Sequence, residues 1–158
     1  MVQSPPVTPD HTLRRSQTQR LFTAHLINRH SNLCLSVDGA STDNGARVLQ
    51  WDCGTQENQQ WRLVATSGGY YQVRAGHSDK CLSVSDRSTD NGAPVIQWEC
   101  GLPANQQWKL VQKDNGYFSV VARHSGKCLS VPPSTTQNGA AAIQWECGSQ
   151  HDQHWRLG

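Results

Sequence analysis

The segment Val48–Trp61, VLQWDCGTQENQQW, returns as Val95–Trp108 and again as Ala142–Trp155. Trp51, Trp98 and Trp145 are spaced 47 residues apart, and so are Trp61, Trp108 and Trp155, so all six tryptophans fall on two lattices of one period. A period kept this strictly over three copies marks units that are too small to close a core alone and that lean on their neighbours. The chain of 158 residues is then expected to form one cooperative body of three repeats, about 23–69, 70–116 and 117–158.

Helices are disfavoured. Hydrophobic residues make up 35% and charged residues 16%, a mixture rich in Gly, Ser, Asn and Gln that suits short strands joined by polar turns. Each repeat divides into four short β segments. In the first repeat they are His25–Asn28, Cys34–Val37, Val48–Trp51 and Trp61–Val64. The second has Tyr71–Arg74, Lys80–Val84, Val95–Trp98 and Trp108–Val111, and the third Phe118–Val121, Cys128–Val131, Ala142–Trp145 and Trp155–Leu157. The pairs Asn44-Gly45, Asn91-Gly92 and Asn138-Gly139 read as hairpin turns between the second and third segments. Twelve strands in threefold repetition predict an all-β closed architecture, with six strands as a barrel and three hairpins capping it, which leaves no open sheet edge.

The formal charge of +2 is carried by Met1–Phe22, where Arg14, Arg15 and Arg20 outnumber Asp10. The repeats themselves are neutral and offer no electrostatic footprint for nucleic acid or acidic membranes. Pro, Ser, Thr and Gln over residues 1–22 predict a flexible arm or linker.

Six cysteines fall as one pair per repeat: Cys34 with Cys53, Cys81 with Cys100, Cys128 with Cys147. Six allow fifteen pairings; the repetition favours the one in which each repeat closes its own bridge. Reduced thiols or a metal site are the competing reading, disfavoured by the absence of any CxxC spacing. Bridges imply export, so the chain is expected to be a secreted protein in mature form, since residues 1–22 lack the apolar core of a signal peptide. No cofactor is expected. His30, His77 and His124 recur in phase, but one per repeat is too few to share an ion. His151 and His154 lack an evident third ligand.

Cys-Leu-Ser-Val, an Asn-Gly pair, Gln-Trp-Asp/Glu-Cys-Gly and a closing Gln-x-Trp, three times in phase over residues 23–158, resemble the ricin-type β-trefoil lectins and carbohydrate-binding modules. The resemblance implies a β-trefoil with up to three shallow sugar sites, each with an aromatic platform just before the second cysteine. Those positions are Trp51, Trp98 and Trp145. It also implies polar partners at Asn58 and Gln59, Asn105 and Gln106, Asp152 and Gln153. The chemistry agrees: a pyranose has an apolar C–H face that stacks on an indole and a hydroxyl rim that amides and carboxylates bind.

Sugar-binding repeats of the family carry an Asp one residue past the Cys-Leu pair, and here that position is Ser36, Ser83 and Ser130. A hydroxyl is a weaker acceptor than a carboxylate. Asp38 shares a strand face with Ser36 if that strand continues, whereas Ser85 and Pro132 stand at the corresponding positions. Only the first repeat is therefore expected to supply a substitute, and the sites rank first, second, third. Asp52, Glu99 and Glu146 follow the platforms directly, so strand alternation assigns them to the opposite face. Trp61, Trp108 and Trp155 are expected in the core.

The expectation is a non-catalytic module that binds glycans or polysaccharide, weakly per site, with galactose- or xylose-type units as the sugars. A β-trefoil silent to sugars that binds a protein partner in a secreted complex is the alternative, motivated by the three serines. No serine lies in a nucleophile-elbow context, and the recurring acids sit on separate repeats, so an enzyme is not expected.

Overall fold

The computed structural model describes residues 23–158; the arm expected over 1–22 lies outside the described residues. The strands are β1 Thr23–Ala24, β2 Leu26–Asn28, β3 Cys34–Val37, β4 Val48–Trp51 and β5 Trp61–Ala65 in the first repeat. The second contributes β6 Tyr71–Ala75, β7 Cys81–Val84, β8 Val95–Trp98 and β9 Trp108–Gln112. The third contributes β10 Phe118–Ala122, β11 Cys128–Ser130, β12 Ile143–Trp145 and β13 Trp155–Leu157. Among the described residues thirteen strands stand where twelve are expected, because β1 precedes the expected segment His25–Asn28, with His25 between it and β2.

The interruption at His25 does not open the barrel. β1 pairs with β5 and β2 with β13, and between them run the antiparallel pairs β5–β6, β6–β9, β9–β10 and β10–β13, so six staves close on themselves. The hairpins β3–β4, β7–β8 and β11–β12 cap one end and touch one another through the bridges Arg47 to Ile96, Leu49 to Ala141 and Pro94 to Ile143. This is the β-trefoil. Its core is threefold like its sequence: Trp61, Trp108 and Trp155 are fully buried, packed with Leu35, Leu82 and Leu129. Each of these indoles donates from Nε1 to the carbonyl oxygen of the leucine in its own repeat, at 2.9–3.0 Å, so none of the three buried indole N–H groups is left open.

The Asn-Gly pairs do something other than turn a tight hairpin. Ten residues separate β3 from β4, and although Gly45, Gly92 and Gly139 have φ of +91°, +88° and +95°, they reach into the next repeat. Gly45 N donates to Gln97 O and Asn44 Oδ1 accepts from Glu99 N, both at 2.8 Å. Asn91-Gly92 holds Gln144 and Glu146, and Asn138-Gly139 closes the ring on Gln50 and Asp52. Buried Gln50, Gln97 and Gln144 answer in the other direction: Gln97 Nε2 donates to Ser41 O and Asp43 O, while its Oε1 accepts from Ser78 Oγ. His77 and His124 serve the same seams, their Nε2 atoms 2.7 Å from Ser41 O and Ser88 O.

Three disulfides lie within the repeats, Cys34–Cys53, Cys81–Cys100 and Cys128–Cys147. In each hairpin the first cysteine stands opposite the strand-ending tryptophan, as Cys81 does to Trp98, so the bridge fixes the chain just beyond that indole.

Candidate functional site

The six tryptophans divide by burial into two sets. Where Trp61, Trp108 and Trp155 have no appreciable exposure, Trp51, Trp98 and Trp145 are 45%, 47% and 44% exposed. Alternation along β4, β8 and β12 explains the difference: Gln50, Gln97 and Gln144 turn inward to the seams, so the next residue turns out. Each exposed indole is edged by the Asn-Gly turn of the preceding repeat. A side chain at Gly45, Gly92 or Gly139 would begin 3.8–3.9 Å from Cζ3 of Trp98, Trp145 or Trp51. The sequence gives no direct sign of this contribution, because it joins residues of different repeats across a seam.

Beside Trp98 lies a cleft of about 420 Å³, and beside Trp51 one of about 360 Å³. Ser36 and Ser83 reach these clefts but are buried, and their hydroxyls, with that of Ser130, donate back to the carbonyls of Cys34, Cys81 and Cys128 at 2.9–3.0 Å. Asn58 and Asn105 border the clefts, with Nδ2 donating to Val37 O and Val84 O. The Oδ1 of Asn105 is buried and unpartnered. Gln59, Gln106 and Gln153 are spent on scaffold: Oε1 accepts from Gly54, Gly101 and Gly148 N, and Nε2 donates to Asp52, Glu99 and Glu146 O.

In the second repeat the acids depart from simple strand logic. β3 ends at Val37 and β7 at Val84, where the chain bends into short 3-10 turns at Asp38–Ala40 and Ser85–Arg87. Asp38 still lines the Trp51 cleft, but the second repeat brings its own carboxylate, Asp86, to the Trp98 cleft from the position of Gly39. The first repeat is therefore not alone in offering a substitute acid. Glu99 also lines the Trp98 cleft, since β8 ends at Trp98 and alternation no longer governs the next residue.

The third repeat departs further. Asp152 occupies the place of Asn58 and Asn105 and is buried; burial pushes its carboxyl above the ordinary value, against the opposing pull of its own backbone amide, His30 and His154. An ionised Asp has no hydrogen to give Val131 O where Asn58 and Asn105 supply one, and β11 stops a residue short of its counterparts. His154, at the place of Gln60 and Gln107, is buried with Nε2 unpartnered. Burial lowers its pKa, and Arg29, with Nη1 at 3.4 Å from Nδ1, adds to the effect.

Asp152→Asn is expected to stabilise the fold at pH 7 by about 1–2 kcal/mol, the range for supplying a buried hydrogen bond. The sign follows from linkage. A carboxyl whose folded pKa is raised opposes folding while ionised, and the penalty fades as pH falls through that raised pKa. Melting both proteins from pH 8 to pH 4 should show the variant's advantage shrinking toward the acid end; a constant gap would contradict it.

A family model for the ricin-type β-trefoil lectin domain matches residues 22–155. The chain belongs to this family. Among solved structures it is similar to ThreeFoil, a designed threefold-symmetric protein, at 46% identity and TM-score 0.84, covering 85% of this chain and 96% of that one. It is also similar to an exo-β-1,3-galactanase from Clostridium thermocellum, at 34% identity and TM-score 0.83 over 86% of this chain; the match spans 30% of the galactanase. The Rhizoctonia solani agglutinin, 19% identical with TM-score 0.78 over 85% of this chain and 92% of that one, shares the fold. No curated protein matches the chain significantly. As a lectin domain the chain has a carbohydrate-binding role.

Proposed function

We propose that this lectin domain is a non-catalytic module that binds galactose- or xylose-type units at the clefts beside Trp51 and Trp98, with Trp145 a weaker third platform. One observation carries the reading: three of six tryptophans stand half-exposed at equivalent places, two of them on clefts with carboxylate and amide at the rim. A half-exposed indole leaves apolar surface in water that stacking on a sugar face would cover. The similarity to a galactanase over 30% of that enzyme favours galactose-type units and attachment to a polymer. Several weak sites on one body would then act by avidity. Three disulfides, and the absence among the described residues of any helix able to cross a membrane, are consistent with an extracellular protein.

The inward-facing serines keep the second reading alive, in which the fold binds a protein partner and no sugar. A glycan array followed by calorimetry separates the two. Binding to galactose- or xylose-type glycans that falls at least about tenfold in Trp98→Ala, the loss of a stacked aromatic, supports the lectin. Silence toward every sugar contradicts it.

A further inference from the structure

The Trp51 and Trp98 clefts share a platform, a serine and an asparagine, but they differ in charged groups. Into the Trp98 cleft come Asp86, Arg87 and Glu99, all exposed, and none joined in an ion pair among the described residues. At the positions of Asp86 and Arg87 the first repeat has Gly39 and Ala40. In place of Glu99 it has Asp52, whose Oδ2 is already taken by Asn138 Nδ2 at 2.9 Å. Asn44 receives the backbone amide of Glu99 as Asn138 receives that of Asp52, and Glu99, one methylene longer, lines its cleft with no side-chain bond to that Asn among the described residues. The Trp51 cleft is left with Asp38 as its one charged lining residue.

We propose that Asp86, Arg87 and Glu99 are the specificity-determining residues of the Trp98 cleft, making the second repeat the stronger site, selective for a neutral pyranose over an acidic one. The proposal rests on the lectin reading above and names the groups that hold the sugar there. An ionised carboxylate accepts from two neighbouring hydroxyls, and a guanidinium donates to ring or linkage oxygens, which have no hydrogen to give. Among the described residues none of the three side chains makes an ion pair, so each can turn to a ligand without breaking one. Two carboxylates against one guanidinium leave the cleft negative, so a sugar bearing its own carboxylate is repelled. Asp86 and Glu99 take the acceptor role that the resemblance gives to Asp at the position of Ser83, a buried residue whose hydroxyl donates to Cys81 O.

The test uses the indole N–H signals of Trp51 and Trp98 as separate reporters in one 15N-labelled chain, titrated with methyl β-galactoside, methyl β-xyloside and galacturonate. The Trp98 signal is expected to respond at lower concentration of a neutral sugar than the Trp51 signal, and to respond least to galacturonate. In the Asp86→Asn, Glu99→Gln double variant the midpoint at Trp98 should rise about tenfold or more, the weight of charge-assisted hydrogen bonds, while that at Trp51 stays in place and reports an intact fold. Arg87→Ala should weaken the same site and widen the gap between galactoside and galacturonate, because it removes the one cation that offsets the two carboxylates. An unchanged Trp98 midpoint in the double variant, or a tighter Trp51 cleft in the native chain, overturns this inference and leaves the lectin reading standing. If neither indole responds to any of the three sugars, both fail.

Discussion

Trp108→Ala is expected to cost about 4 kcal/mol, as large-to-small changes of a buried aromatic do, and to lower Tm by roughly 10–15 °C for a chain of this size. Three losses combine: the buried indole area, the contacts with Leu82 and the neighbouring core, and the partner of Leu82 O, which accepts from Trp108 Nε1 at 2.9 Å. Native domains hold only about 5–15 kcal/mol in total, so this single change takes a large share of the margin. Trp98→Ala removes the same side chain from a half-exposed place on the cap and should cost no more than about 1–2 kcal/mol, in proportion to the area it buries. Urea denaturation of the two variants side by side measures the contrast. Equal losses would mean that the burial-based division of the tryptophans is wrong.

Replacing Cys81 and Cys100 together by Ala is expected to cost about 3 kcal/mol, the entropy released when a loop of this length is no longer closed in the unfolded chain. A local consequence should accompany it. The bridge ties the chain just past Trp98 to the strand facing it, and Glu99 and Gly101 of the Trp98 cleft lie on either side of Cys100. Sugar response at Trp98 should therefore weaken while that at Trp51, held by Cys34–Cys53, persists. A denaturation midpoint that does not move, or one that falls with both indoles affected alike, would contradict bridges acting one per lobe.

The fold was legible because its determinants are periodic. Cysteines, core tryptophans and strand segments each recur at one spacing, and a closed threefold barrel is the economical way to bury such a set. What could not be read were contacts across the seams. Asn44, Asn91 and Asn138 look like local turn residues until the next repeat is placed against them, and Gln50, Gln97 and Gln144 give no sign in sequence that they bind carbonyls of a neighbour. The site was half legible. The platforms follow from alternation, but Asp86 and Glu99 lie just beyond strand ends, where alternation fails and a single bend decides which way a carboxylate faces. Gln59, Gln106 and Gln153 read equally well from sequence as sugar contacts or as scaffold, and each is buried with one donor and one acceptor bond holding the chain after the second cysteine.

The central claim is that the outward indoles, and not the inward ones, meet a saccharide. Recording the six indole N–H resonances while titrating a galactose-type oligosaccharide tests it directly. Trp51 and Trp98 should shift in a saturable way, Trp145 less or at higher concentration, and Trp61, Trp108 and Trp155, whose N–H groups are bonded to leucine carbonyls inside the barrel, should stay still. Saturable binding seen by calorimetry with all three outward resonances unmoved would place the sugar elsewhere and contradict the account.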